Sequence, residues 1–317
     1  VPCFTICIWY DFMCVGSIDS FVGRQHKVGP KSQGRQQLLI GPWLHGRFNK
    51  GNVVAEMKYP ENANFDILAH MIRYFDFHLK KKENGVDRDP AVKYYVMGAI
   101  GEEGAPGNVW RSADDWPIPS LATPYYFEEG GRLRLEKPTA TESESTYLAD
   151  PLNPATIPAG GFPGAKDARG FEIQKNVLTF TSKELTEPVE WTGRVQAELY
   201  VKSSAKDSDF IVRVSDVYPD GRSILIIDYI RRARYRDGFE KEVPLAPGQV
   251  EKVAFDVGNL SQIFNKGHRI LVTVASTGAP FFEVNPNTFE PFTIEFPDKT
   301  VVAKNAIQHN AKHASRI

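Results

Sequence analysis

The chain opens on a near-continuous apolar run, Val1-Pro2-Cys3-Phe4-Thr5-Ile6-Cys7-Ile8-Trp9-Tyr10, which stops at Asp11. A run so little relieved by polar alternation predicts a strand covered on both faces, as inside a parallel sheet. Gln36 to Gly41 predicts a second strand of the same kind. Between them, Ser17 to about His26 reads as a short helix with Ser17 or Asp19 near its N-cap, broken by Gly29-Pro30. Further on, Phe65, Leu68, Ile72, Phe75 and Leu79 recur at spacings of three and four, the period of an amphipathic helix. Lys80, Lys81 and Lys82 fall in its last turn, where cations suit the helix dipole, and Gly85 supplies a stop. Residues 1–85 thus predict strand, helix, strand, helix: the tail of a doubly wound α/β sheet. A central strand needs neighbours, so further strands are expected upstream of Val1.

From Pro90 the pattern shortens. Val92–Met97, Val195–Val201, Phe210–Val217, Ser223–Tyr229, Gln249–Phe255 and Arg269–Ala275 arrive at the intervals of an all-β sandwich. Tyr218-Pro219-Asp220-Gly221 is a hairpin signal, with Pro presetting the φ of a type I turn. Pro151 to Gly170 holds four Pro and four Gly in twenty residues. It reads as a long irregular loop, either a solvated crossover between sheets or a functional excursion.

Composition narrows the functional classes. The chain has 317 residues, 42% of them hydrophobic, and a net charge of −1, which gives no reason to expect nucleic acid or an anionic membrane as partner. No apolar run approaches the ~20 residues that span a bilayer. Arg231, Arg232, Arg234 and Arg236 are basic, but nothing around them extends the charge. Three of them share a strand face and are expected to pair with carboxylates. Cysteines stand at 3, 7 and 14. Four residues along a strand separate Cys3 from Cys7 by roughly 13 Å, too far for a disulfide. Reduced thiols are expected, pointing weakly to the cytoplasm, and a signal peptide lying upstream leaves the compartment open. No cofactor is implied. A metal is not expected: the cysteines are strung along one strand, and His309 and His313 lack a third ligand. Trp110, Trp116, Tyr125 and Tyr126 suit packing between domains.

The chemistry sits where the two buried strands run out. Ligands of open α/β sheets bind beyond the carboxyl ends of the strands. Asp11 ends the first strand, and His45 lies just past the second, within Gly41-Pro42-Trp43-Leu44-His45-Gly46. A strand–helix–strand connection brings those ends side by side. An Asp there accepts the imidazole Nδ1–H, leaving the other nitrogen as general base to a hydroxyl. In α/β-hydrolases the triad order is Ser, Asp, His. Asp11 and His45 keep that order, with the serine expected upstream, since no G-x-S-x-G occurs in the chain.

Ile8-Trp9-Tyr10-Asp11 and Gly41–Gly46 resemble the Asp and His blocks of the CocE/NonD hydrolases. That group contains cocaine esterase, α-amino acid ester hydrolases and X-prolyl dipeptidyl peptidases. Phe75-Asp76-Phe77-His78-Leu79-Lys80 resembles the helix after the histidine in this family, and Trp110-Arg111 through Trp116-Pro117 its entry into the second domain. Asp209-Phe210, Asp216 through Ser223, Lys266 through Ile270, Asn285-Pro286-Asn287-Thr288 and His313 through Ile317 resemble its C-terminal jelly-roll domain. Ile8 stands where relatives usually have Gly. The resemblance implies the C-terminal part of an α/β-hydrolase sheet (1–85) followed by a jelly-roll β-sandwich (86–317) carrying the loop 151–170. It implies a serine hydrolase cleaving small ester, amide or peptide substrates through an acyl-enzyme. Asp11 would be the triad acid and His45 the base, and the chain alone would be inactive without the serine. A homo-oligomer stays open. The rival reading is a non-catalytic jelly-roll binding module.

Overall fold

The structure, a computed structural model, describes residues 1–46, 52–158, 164–291 and 299–317. Strand β1 (Phe4–Tyr10) is followed by helix α1 (Cys14–Lys27), β2 (Gln37–Leu44), the two-residue strands β3 (Val53–Val54) and β4 (Met57–Lys58), and helix α2 (Ile67–Lys80). Then come β5 (Val92–Val96), β6 (Val109–Ala113), β7 (Tyr126–Glu128), β8 (Arg132–Arg134), β9 (Glu144–Ala149) and the one-turn helix α3 (Arg169–Glu172). The remaining strands are β10 (Leu178–Thr181), β11 (Val189–Ser203), β12 (Asp209–Val217), β13 (Ser223–Arg232), β14 (Val250–Phe264), β15 (Arg269–Ala275) and β16 (Ala303–Gln308).

Three sheets carry the architecture. The first has the order β1-β2-β5-β6, with β1, β2 and β5 parallel and β6 antiparallel to β5. The others are six-stranded, β13-β12-β15-β10-β8-β7, and four-stranded, β14-β11-β16-β9. Along β11, Val195, Ala197, Leu199 and Val201 are buried on alternate positions, the period of a strand with one face on a core. They join Phe127, Phe180 and Phe210 of the six-stranded sheet in one apolar cluster, so the two sheets form a sandwich. The same cluster takes in Trp9, Tyr94 and Trp116, which makes the core continuous from the first sheet into the sandwich.

Several local expectations change. Val92–Met97 reads in sequence as a sandwich strand, but β5 pairs in parallel with β2 through Leu38, Leu39 and Ile40. A buried apolar strand reads alike in either sheet, and the helix before it makes the parallel return possible. Helix α1 starts at Cys14 rather than near Ser17, with neither Ser17 nor Asp19 as cap. Helix α2 stops at Lys81, whose φ of +59° is left-handed, four residues before Gly85. Its periodic stripe, Leu68, Ile72, Phe75 and Leu79, faces outward, while Ile67 and Tyr74 are buried.

The basic cluster pairs with carboxylates as expected, though not from one strand face. Arg232 ends β13 and meets Asp209 at 2.9 Å; Arg234 and Arg236 follow in a tight turn, on Asp207 at 2.7 Å and Glu251 at 2.5 Å. Asn285 Nδ2 donates to both Asp207 and Asp209, tying the 285–287 segment to the same cluster. Burial pushes the Asp209 carboxyl up to about 6, against the pull of Arg232 and Asn285. The Tyr218–Gly221 hairpin forms as read, with Gly221 at φ +87° donating to the Tyr218 carbonyl. Residues 159–163 of the 151–170 loop lie outside the described residues.

Candidate active site

Asp11 and His45 meet. Their positions follow from the pairing of β1 and β2, which keeps Phe4 opposite Gln37 and Ile8 opposite Gly41. Between there and Tyr10 the register slips by one, so that Tyr10 faces Leu44. The extra residue on β2 is a bulge within Gly41-Pro42-Trp43, and bulges re-aim the side chains that follow them. His45 comes to lie beside Asp11, with its Nδ1 2.8 Å from Asp11 Oδ2. Immediately afterwards Gly46 takes a φ of +67°, a conformation that favours glycine.

Both residues are held from below by tryptophans. Trp9, two residues before Asp11, donates its indole N–H to the Tyr95 carbonyl at 2.8 Å. Trp43, two residues before His45, donates to the Ala63 carbonyl at 3.0 Å. The Trp43 ring lies over Gly41: a Cβ there would sit 2.3 Å from the ring, so the Gly-Pro-Trp order is a packing requirement.

The Asp11 carboxylate is fixed on both oxygens. Oδ2 faces the imidazole, and Oδ1 accepts the Met13 N–H at 2.9 Å. The Asp11 carbonyl accepts the Cys14 N–H at 3.0 Å. Asp11 therefore closes the turn that leads into helix α1, whose N-cap is Met13. The Asp11 side chain is 9% exposed and that of His45 40%, so the acid is shielded while the imidazole reaches the surface. Phe12 stacks on the imidazole, centroids 5.4 Å apart and planes inclined by 21°. A cavity of about 80 Å³ adjoins Asp11, walled by Phe12, Cys14, Tyr229, Gly258 and Phe281 among others, between the first sheet and the sandwich. Chemically, a carboxylate on Nδ1 can hold an imidazole in one tautomer.

Two contributors to the site, Phe12 and the Met13 amide, are not evident from sequence. Phe12, next to the acid, carries the only signal, and stacking cannot be read from adjacency. The two histidines with the spacing of a metal pair are apart in role: His309 sits between the Ser143 and Ser145 hydroxyls, while His313 packs its ring against Tyr200. No cluster of three metal-ligating side chains occurs among the described residues.

Residues 84–317 match the X-Pro dipeptidyl-peptidase C-terminal non-catalytic domain. The chain belongs to that family. The chain is 33% identical to the cocaine esterase of Rhodococcus sp. (strain MB1 Bresler), over 98% of this chain and 54% of that protein. An aminopeptidase from a marine sediment Thaumarchaeota archaeon superposes with a TM-score of 0.85 at 25% identity, covering all of this chain and 54% of the other. An α-amino acid ester hydrolase superposes with a TM-score of 0.84 over 55% of its length; at 24% identity it shows the fold alone. The likeness to CocE/NonD hydrolases read from the motifs is thereby shown, and the β-rich architecture matches the C-terminal part of those enzymes. The chain spans about half the length of the curated relatives it matches.

Proposed function

We propose that the chain supplies the acid and base of a serine hydrolase of the acyl esterase or dipeptidyl-peptidase type. Asp11 orients His45 through the 2.8 Å contact to Nδ1, the observation that carries this reading. His45 Nε2 then takes the proton of a serine hydroxyl as that oxygen attacks an ester or amide carbonyl. It returns the proton to the leaving group, and water releases the acyl group by the same route. The serine comes from a segment that these 317 residues do not contain, so the chain alone does not turn over. Residues 1–85 are the end of the catalytic domain, and 86–317 a jelly-roll sandwich that buttresses it. The sheet of residues 1–85 continues into β5 and β6, so the two units meet within the first sheet. The family match beginning at residue 84 supports the division.

A fluorophosphonate probe tests this against the rival of a pure binding module. The 317-residue chain is expected to stay unlabelled, whereas the chain joined to its upstream segment labels on one serine. Stoichiometric labelling of the isolated chain would refute the absent nucleophile. In the joined protein, His45→Ala abolishes turnover of a nitrophenyl ester; a near-normal rate removes His45 from the base role.

A further inference from the structure

Two of the three cysteines flank Asp11 and meet beneath it. Cys7 lies on β1 and Cys14 opens α1, and the turn through Asp11 folds the second back onto the first. The Cys7 thiol points at the Cys14 sulfur 3.0 Å away, and both residues are buried, at 2% and 5% exposure. A disulfide bond is about 2.05 Å long, so the sulfurs need approach by only about 1 Å. Cys3 has a different setting, with its sulfur 3.9 Å from the Thr5 hydroxyl.

The two thiols differ in access. Cys14 lines the cavity of about 80 Å³ beside Asp11, and Cys7 does not. That space exceeds the roughly 30 Å³ that a water molecule occupies in the liquid, so a hydrogen peroxide molecule fits. Cys14 is also the first residue of a 14-residue helix, which fixes its sulfur at the cavity wall. Burial pushes the Cys7 thiol up, which keeps it protonated behind its neighbour.

We propose that Cys7 and Cys14 form a reversible disulfide when a hydroperoxide enters this cavity, clamping the turn that carries Asp11. The Cys14 sulfur attacks one peroxide oxygen, the O–O bond breaks, and the thiol proton passes to the departing oxygen, which leaves as water. The resulting sulfenic acid is attacked by the Cys7 sulfur. The S–O bond breaks, and the second hydroxide leaves as water with the Cys7 proton. Two thiols lose two electrons, and one peroxide becomes two waters. A small thiol reverses the step by exchange. The chemistry is independent of any role for Asp11 in hydrolysis.

Peptide mapping decides it. The native intact protein is treated with hydrogen peroxide, its free thiols are alkylated, and it is digested for mass spectrometry. The expected product is a Cys7–Cys14 linked peptide, lighter by two hydrogens, with Cys3 alkylated and the link lost under dithiothreitol. Thermal denaturation adds a second readout: peroxide raises the Tm of the wild type and not that of Cys7→Ala. In that variant, dimedone traps a sulfenic acid on Cys14. If Cys14 stays fully alkylatable after native treatment, if the link forms only in denaturant, or if Cys3 oxidises first, the proposal is overturned. The wild-type map is sufficient by itself even if Cys7→Ala does not fold.

Discussion

Replacing His268 by Ala tests what joins the first sheet to the sandwich. His268, just before β15, is fully buried with a carboxylate on each ring nitrogen: Asp216 of β12 on Nδ1 at 2.7 Å, and Glu102 of the β5–β6 connection on Nε2 at 2.9 Å. Tyr218 covers the ring at 4.4 Å, and Arg222 lies over Tyr218. Burial disfavours the charge on His268, but hydrogen bonds and attraction from Asp216 and Glu102 outweigh it and hold its pKa above the ordinary histidine value. The two carboxyl groups thus favour the imidazolium, and removing the ring leaves the Asp216 carboxyl, 1% exposed and itself raised by burial, with Gln262 at 3.2 Å as its side-chain partner among the described residues. Breaking such a pair costs about 3–5 kcal/mol. An unfolding entropy of about 2.1 cal/mol/K per residue, over 317 residues, converts this to a fall in Tm of about 5–8 °C. The sign of the pH dependence follows from the raised pKa. The contribution is complete below the unfolded value of about 6.5 and is lost as pH rises through the higher folded value. Glu102→Gln keeps the shape, removes one of the two charges and moves that loss to lower pH. Urea unfolding of wild type and both variants from pH 6 to pH 9 is the assay. A cost below about 1 kcal/mol for His268→Ala, or a Glu102→Gln profile that coincides with wild type, refutes the imidazolium bridge.

Two further outcomes concern the candidate site. Asp11→Asn in the joined protein keeps the side-chain shape but offers the imidazole the wrong partner, so kcat should fall by roughly 10⁴ with KM little changed; steady-state ester hydrolysis checks it, and a loss under tenfold removes Asp11 from the acid role. Gly41→Ala drives a methyl into the Trp43 ring, costing about 1–3 kcal/mol of stability by denaturant unfolding; ester turnover should drop with it, because Trp43 and His45 share one short segment.

The sequence carries the site further than it carries the elements around it. Asp11 and His45 are legible because parallel pairing of two buried strands leaves their C-terminal ends adjacent, whatever the exact register. The bulge that completes the contact is hidden, since Gly-Pro-Trp gives no count of residues per partner. The start of α1 is misleading in sequence because Ser17 and Asp19 have the chemistry of caps, while the helix begins at Cys14 with Met13 as its N-cap, after a turn closed by the Asp11 carbonyl and carboxylate. In α2 the period is right and the face is not. Periodicity tells which residues share a side, and a helix apolar on two sides does not say which one is inward. The meeting of Cys7 and Cys14 is invisible to strand spacing, which bears only on Cys3 and Cys7; a turn brings together what a strand keeps apart.

The word non-catalytic, applied to residues 84–317, describes groups that touch substrate and leaves open what fixes the site. The carbonyl that anchors Trp9 belongs to Tyr95 of β5, which lies inside the matched domain. The next residues of β5 lead to Met97, whose backbone exchanges hydrogen bonds with Ser261 and Ile263 of β14 at 2.9 and 2.8 Å. Trp116, packed against Trp9, donates to Asn259 of the same strand at 3.1 Å. At Gly258, φ +141°, β14 comes so close that a Cβ would lie 2.9 Å from Ile227 and 3.5 Å from Val15 of α1. The turn bearing Asp11 is thus seated on β14 from both sides. Substitutions there are expected to reach the Asp11–His45 contact through this packing.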